Sequence, residues 1–86
     1  MNDAFNRKKF NAFRERCHGA GITAIHVQRS EAPREVRLRY NAREPRTGRL
    51  FNGEWVIEKG GPDVDSREKA FFELAQKHFA VTRHEG

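Results

Sequence analysis

The sequence predicts a small α+β domain in which two helices pack on one face of a three-stranded antiparallel sheet. Three observations predict it. Apolar residues recur at helical spacing near both ends of the chain, three β-prone segments lie between these ends, and glycine- or proline-containing breaks separate the segments. Because 86 residues can bury only one modest core, we expect a single domain over residues 1–86. The expected order is α-β-β-β-α.

The first helix is predicted over about residues 3–18. Phe10, Phe13 and Cys17 follow the i, i+3, i+7 spacing of one helix face, and Phe5 widens this apolar stripe. Such a stripe is typical of a helix face that packs against a core. We therefore expect these aromatic rings to be buried and not to form a platform for bases.

The second helix is predicted over about residues 66–81. Asp65 with Glu68 three residues later matches a capping box, which satisfies amide groups at a helix start. Phe71 and its apolar neighbours at helical spacing predict a broad face that lies across the sheet. Residues 82–86 are expected to form a frayed tail, as chain ends often do.

The three strands are predicted over about residues 22–28, 35–42 and 50–58, with residues 29–34 as the first connection. Apolar and polar side chains alternate in these segments, as the two-residue period of a strand requires. Residues 44–48 contain a proline and a glycine that suit a tight turn, so the last two strands form a hairpin. In the first strand, Ile25 and Val27 share one face. The core face of the hairpin should carry Val36, Leu38, Tyr40, Phe51, Trp55 and Ile57.

The hairpin carries the strongest functional signal. The net charge of the chain is +5, and residues 29–49 hold seven basic and three acidic side chains. Guanidinium groups suit bidentate contacts to phosphate, and a one-sided basic field suits a polyanion. Glu54 and Glu58 share the open sheet face, so cross-strand ion pairs are the alternative role for some of these arginines. The candidate binding side chains of this region are Arg34, Arg37, Arg39, Arg43, Arg46 and Arg49.

The sequence predicts no enzyme, no cofactor and no metal centre. Its four histidines lack the spacing of metal ligands, and the single cysteine can form no intrachain disulfide. Gly60 and Gly61 precede a helix, but the Lys-Ser/Thr of a phosphate-binding loop does not follow them. No apolar run reaches membrane-spanning length, and the first residues lack the apolar region of a signal peptide. We therefore expect a cytoplasmic protein without membrane contact.

The α-β-β-β-α order resembles the double-stranded RNA-binding domain. Asn11–Cys17 followed by a glycine looks like the first helix of that family, and Gly60-Gly61 before Ser66–Ala70 looks like its glycine-rich entry to the last helix. The resemblance implies that two more side chains contact phosphates and that the loop Arg29–Arg34 enters a minor groove. These two side chains are Arg67 and Lys69.

The hairpin also resembles the arm-binding domains of phage-type integrases. Arg37–Tyr40, the Pro45–Gly48 turn and Ser66–Ala70 at the helix start look similar to that pattern. In those domains the sheet face enters DNA. The resemblance implies an interface formed by Arg37, Arg39 and Arg49.

Two functions are compatible with these observations. The first is a small non-enzymatic nucleic-acid-binding module that contacts the phosphates of duplex RNA or DNA through the hairpin arginines, with little base specificity. The second is a small protein–protein interaction protein, such as a phage-encoded inhibitor of host machinery of the anti-CRISPR kind. That protein would present the same arginines to an acidic or nucleic-acid-binding host protein. Homodimerisation through an exposed strand edge is a third possibility.

Overall fold

The computed structural model describes residues 2–61 and 63–85, and the side chains of residues 7–61 and 63–84. Phe5, which the sequence places in the apolar stripe of the first helix, lies outside these described side chains. The described chain folds into two helices and four strands. These are α1 Asn2–Gly19, β1 Ala24–Glu31, β2 Glu35–Arg43, β3 Leu50–Glu58, α2 Val64–His78 and β4 Ala80–Glu85.

The sheet is mixed, with the strand order β3-β2-β1-β4. β1, β2 and β3 are antiparallel neighbours, as expected, but β4 pairs in parallel with β1. The predicted α+β class with two helices and three antiparallel strands is therefore confirmed, but the sheet has a fourth strand where the prediction had a frayed tail. The Ala80 amide donates to the Thr23 carbonyl at 3.0 Å, and Val81 lies beside Ile25 in the register. These bonds give backbone partners to the edge of β1 and fix residues 80–85 in the sheet.

The start of α2 also differs from the prediction. Asp63 is the N-cap, and its side chain accepts a hydrogen bond from the Ser66 amide at 3.0 Å. Both the hydroxyl and the amide of Ser66 donate to this carboxylate and lower its pKa below the usual range. The capping box of Asp65 and Glu68 is not formed, because Glu68 faces the sheet and is buried.

Three further boundaries were wrong. α2 ends three residues before the expected residue 81, because Phe79 adopts an extended backbone and still buries its ring in the core. β1 begins and ends later than expected, so residues 29–31 belong to the strand and only residues 32–34 connect it to β2. Half of the groove-entering loop that the RNA-binding resemblance implies over Arg29–Arg34 is therefore strand.

Both helices pack on the predicted apolar face of the sheet. Tyr40 lies at the centre of the core, with its ring centroid 4.7 Å from Phe13, 5.4 Å from Phe10 and 5.5 Å from Phe71. Gly53 is the cross-strand partner of Tyr40, and a Cβ at this position would lie 2.5 Å from the Tyr40 ring. The missing side chain leaves the space that the tyrosine ring fills. This packing leaves the opposite sheet face without a covering helix.

Candidate nucleic-acid interface

The structure separates the eight predicted binding residues instead of forming one surface from them. Two of them lie in the middle of the open sheet face, three lie at the hairpin tip, and the others lie at the far end of β3 or on α2. The pair on the open face is Arg37 and Arg39, the tip arginines are Arg43, Arg46 and Arg49, and the remaining three are Arg34, Arg67 and Lys69.

The arginines in the middle of the open face are engaged by carboxylates. Arg37 contacts Glu35 at 2.5 Å and Glu54 at 3.4 Å, and Arg39 contacts the same Glu54 oxygen at 3.2 Å. The hydrogen bond to Glu35 raises the pKa of Arg37 above its usual value. The cross-strand alternative is therefore confirmed for Glu54. Two carboxylates thus balance the charge of these two arginines, and this part of the face offers a phosphate no net positive charge.

β4 extends the open face with side chains that sequence reasoning assigned to a tail. Thr82 and His84 join His26 and Gln28 of β1 there, because cross-strand partners in a parallel pair point to the same side. The His26 and His84 rings lie 4.6 Å apart between centroids. This face is polar, and among the described side chains it presents no phenylalanine, tyrosine or tryptophan on which a base could stack.

The hairpin tip is held by a compact set of hydrogen bonds. The Glu44 amide donates to the Arg49 carbonyl, and the Gly48 amide donates to the Glu44 carbonyl, both at 2.8 Å. Gly48 has φ +73°, a left-handed conformation that glycine adopts without steric cost, as the predicted turn requires. The Arg43 guanidinium donates to the Gly48 carbonyl at 2.7 Å, which fixes that side chain against the loop.

Within the described part of the chain, the tip arginines form no ion pair. Among the side chains at 7–61 and 63–84, no carboxylate oxygen lies within 4 Å of the guanidinium nitrogens of Arg43, Arg46 or Arg49. The Arg49 guanidinium lies 5.1 Å from the Phe51 ring centroid, within the range of a cation–π contact. The one carboxylate of the loop, Glu44, accepts a hydrogen bond from Thr47 instead. The tip is thus a positively charged projection with its guanidinium groups exposed.

Arg16 joins this basic group, although sequence reasoning did not select it. Its guanidinium lies 5.8 Å from the Phe51 ring centroid and donates to the Asn52 carbonyl at 3.5 Å. The end of α1 and the hairpin tip enclose a hollow of about 580 Å³, lined by Gly19–Gly21, Arg46 and Arg49 among others. The available signal was the helical spacing of Arg16 three residues after Phe13, which puts it on the side of α1 that meets β3.

The remaining three candidates lie away from the hairpin tip. Arg67 donates to the Glu58 carbonyl at 2.9 Å, and the Lys59 amide donates to the carbonyl of Arg34 at 2.8 Å. Lys69 is exposed on α2 and lines a separate cleft between α2, β1 and β4. The residues that the RNA-binding resemblance implies therefore do not lie beside the hairpin tip.

Three features of the described residues bear on the other kinds of site considered in the sequence. No group of three or more histidine, cysteine, aspartate or glutamate side chains among them is arranged to hold a metal ion. Cys17 is fully buried, and burial raises the pKa of its thiol. None of the described helices combines the length and apolar character needed to cross a bilayer. Comparisons with protein-family models, curated proteins and solved structures find no match for this chain.

Proposed function

We propose that this chain is a non-enzymatic nucleic-acid-binding module whose hairpin tip contacts phosphates. The observation that carries the proposal is the contrast between two sets of arginines. Arg37 and Arg39 are held by Glu35 and Glu54, whereas Arg43, Arg46 and Arg49 have no carboxylate within 4 Å among the described side chains. Guanidinium groups without an internal anion are those that gain most from an external phosphate.

Two of the tip arginines are held in a fixed orientation before a ligand binds. Arg43 is bonded to the loop backbone, and Arg49 lies over Phe51. Side chains that are already ordered lose less conformational entropy on binding, which favours affinity. Phosphate contacts position a protein but do not read sequence, so this interface predicts little base specificity.

The first experiment measures binding of fluorescently labelled duplex RNA, duplex DNA and single strands by anisotropy across a salt series. Three arginine–phosphate contacts predict a slope of log K against log salt of about −2.7 for duplex DNA. In the Arg46→Glu/Arg49→Glu variant, the slope should become shallower by about 2 units, with a large loss of affinity at low salt.

Arg7→Glu/Lys8→Glu is the matched control. It reverses two charges, as the tip variant does, at exposed sites 12 and 11 residues before Gly19, which is about 17 to 18 Å along α1 from the hollow at the tip. This control should keep the salt slope of the native protein. Equal losses in the tip variant and the control would mean that net charge alone drives binding, and absence of binding at low salt would refute the proposal.

A protein partner is the second candidate, favoured by one observation. Leu50 is 51% exposed, and it is the one large hydrophobic side chain with such exposure among the described residues. It stands next to Arg49 at the start of the edge strand β3. An apolar group beside arginines suits an acidic protein surface with an apolar centre. Co-purification of one host protein that survives nuclease treatment and is lost in Leu50→Ser would support this candidate.

A further inference from the structure

Glu68 is the one buried charged residue among the described side chains, and it holds two arginines. Its Oε2 atom accepts a hydrogen bond from Arg29 Nε at 2.8 Å and another from Arg83 Nη2 at 3.0 Å. The carboxylate is 9% exposed, whereas the arginine side chains are 20% and 48% exposed. One anion therefore positions two cations at the solvent boundary, where α2 meets β1 and β4.

Arg83 is oriented by a second contact. Its guanidinium carbon lies 4.3 Å from the centroid of the Phe72 ring, a close cation–π distance. The bond to Glu68 uses a single Nη nitrogen, and nearly half of the side chain faces solvent. The planar group is thus fixed in orientation while much of it remains accessible. Such a group matches the paired oxygens of a phosphate.

These residues line one open cleft of about 430 Å³. Its lining consists of Arg29, Asp65, Glu68, Lys69, Phe72 and Arg83. Three cations and two carboxylates form this lining. Arg29 also contacts Glu31 at 3.2 Å, but Lys59 pairs with that carboxylate, so the group as a whole keeps one net positive charge. The Oε2 atom of Glu68 accepts from both guanidinium groups, and no carboxylate oxygen among the described side chains lies within 4 Å of the Lys69 ammonium nitrogen.

We propose that this cleft is an anion site that binds a phosphate group. Arg83 and Lys69 bind the phosphate oxygens, Arg29 supplies further positive charge at the base of the cleft, and Glu68 acts as the positioning residue for both arginines. The phosphate belongs either to a nucleic-acid backbone or to a small phosphorylated molecule, since both present the same oxygens.

The site is separate from the hairpin tip. Arg29 pairs with Leu38 in the sheet, and the tip begins five residues further along β2 at Arg43, a distance of about 17 Å. The cleft also lies on the helix-covered side of the sheet. Failure of phosphate binding in the cleft therefore leaves the proposed function of the tip intact, and loss of binding at the tip leaves the cleft site intact.

The test is an NMR titration of the ¹⁵N-labelled protein at constant ionic strength with inorganic phosphate, adenosine monophosphate and a short DNA duplex. The side-chain Nε–Hε signals of Arg29 and Arg83 are the readout, because Nε of Arg29 is bonded directly to Glu68. We expect saturable shifts of both signals with inorganic phosphate. The Arg83→Gln variant should weaken phosphate binding by roughly tenfold or more.

Lys69→Gln is the second variant, because it alters an exposed side chain and should leave the fold unchanged. We expect it to weaken phosphate binding by roughly twofold to fivefold. Arg7→Gln, far from the cleft on α1, is the control and should bind as the native protein does. If adenosine monophosphate binds more tightly than inorganic phosphate, the ligand of the cleft is a small phosphorylated molecule. If the two bind equally and the DNA duplex shifts the same signals, the ligand is a nucleic-acid backbone. Non-saturable shifts with all three probes, or affinity unchanged in both cleft variants, would overturn the proposal.

Discussion

Replacement of Glu68 by glutamine should destabilise the fold far more than the loss of an ordinary surface charge. The buried carboxylate holds Arg29 and Arg83 at 2.8 and 3.0 Å, and hydrogen bonds to charged groups contribute about 1.5–3 kcal/mol each. Glutamine keeps one acceptor oxygen, and the exposed part of Arg83 recovers hydration. We therefore expect the free energy of unfolding to fall by about 2–3 kcal/mol rather than by the full sum.

The consequence is a large shift of the thermal midpoint. For a domain of this size, 1 kcal/mol corresponds to about 4–8 °C, so Glu68→Gln should lower Tm by roughly 10–20 °C. Thermal and urea denaturation followed by circular dichroism measure both quantities. The shift should occur without loss of α2 itself, because the N-cap of that helix is Asp63 and not the capping box that the sequence suggested.

Glu73→Gln is the matched control, since Glu73 is an exposed carboxylate on the same helix. Exposed substitutions of this type usually change stability by less than about 0.5 kcal/mol. The reasoning is refuted if the two variants differ by less than that amount, because the ion cluster at Glu68 would then contribute no more than a surface charge.

Three further predictions concern the core. Gly53→Ala should lower stability by about 1–3 kcal/mol in urea denaturation, because its Cβ would meet the Tyr40 ring at 2.5 Å; the control Gly60→Ala, whose Cβ meets nothing within 4 Å, should not. Burial raises the pKa of Tyr40 from 10 to about 12, so the folded state holds its proton longer than the unfolded state does. The free energy of unfolding should therefore decrease by an amount on the order of 2 kcal/mol between pH 10 and 12, and by less in Tyr40→Phe. The phenolate absorbance of this single tyrosine reports its titration. An equal dependence of stability on pH in the two proteins would contradict the assignment. The buried Cys17 should react with a thiol reagent in urea but not in the native state, and rapid native reaction would show that α1 does not seal it.

Much of the fold was predictable because its signals are local. The alternation in β2 and β3 and the turn between them identify the hairpin, its register parity and the left-handed glycine at position 48. The spacing of Phe10, Phe13 and Cys17 correctly predicts the buried face of α1. These patterns depend on residues a few positions apart, so no knowledge of distant partners is required to interpret them.

The errors concern elements whose state depends on distant partners. Residues 80–85 contain few apolar side chains and stand near the chain end, so only the unpaired edge of β1 makes them a strand. Glu68 matches a capping residue in sequence, but Arg29 and Arg83 draw it toward the sheet. The cleft that these residues form could not be anticipated, because its arginines are separated by more than fifty positions.

The sequence by itself determined that this chain makes two amphipathic helices, an antiparallel three-strand unit and an arginine-rich hairpin, since side-chain period and turn chemistry act over short distances. Only the tertiary structure decided which arginines are available to a ligand. Cross-strand neighbours place Glu54 against Arg37 and Arg39, whereas Arg43 belongs to the last pair of the hairpin and Arg46 and Arg49 lie beyond it. Whether an arginine is available to an external anion depends on its distance to carboxylates elsewhere in the chain, and only the folded structure sets those distances.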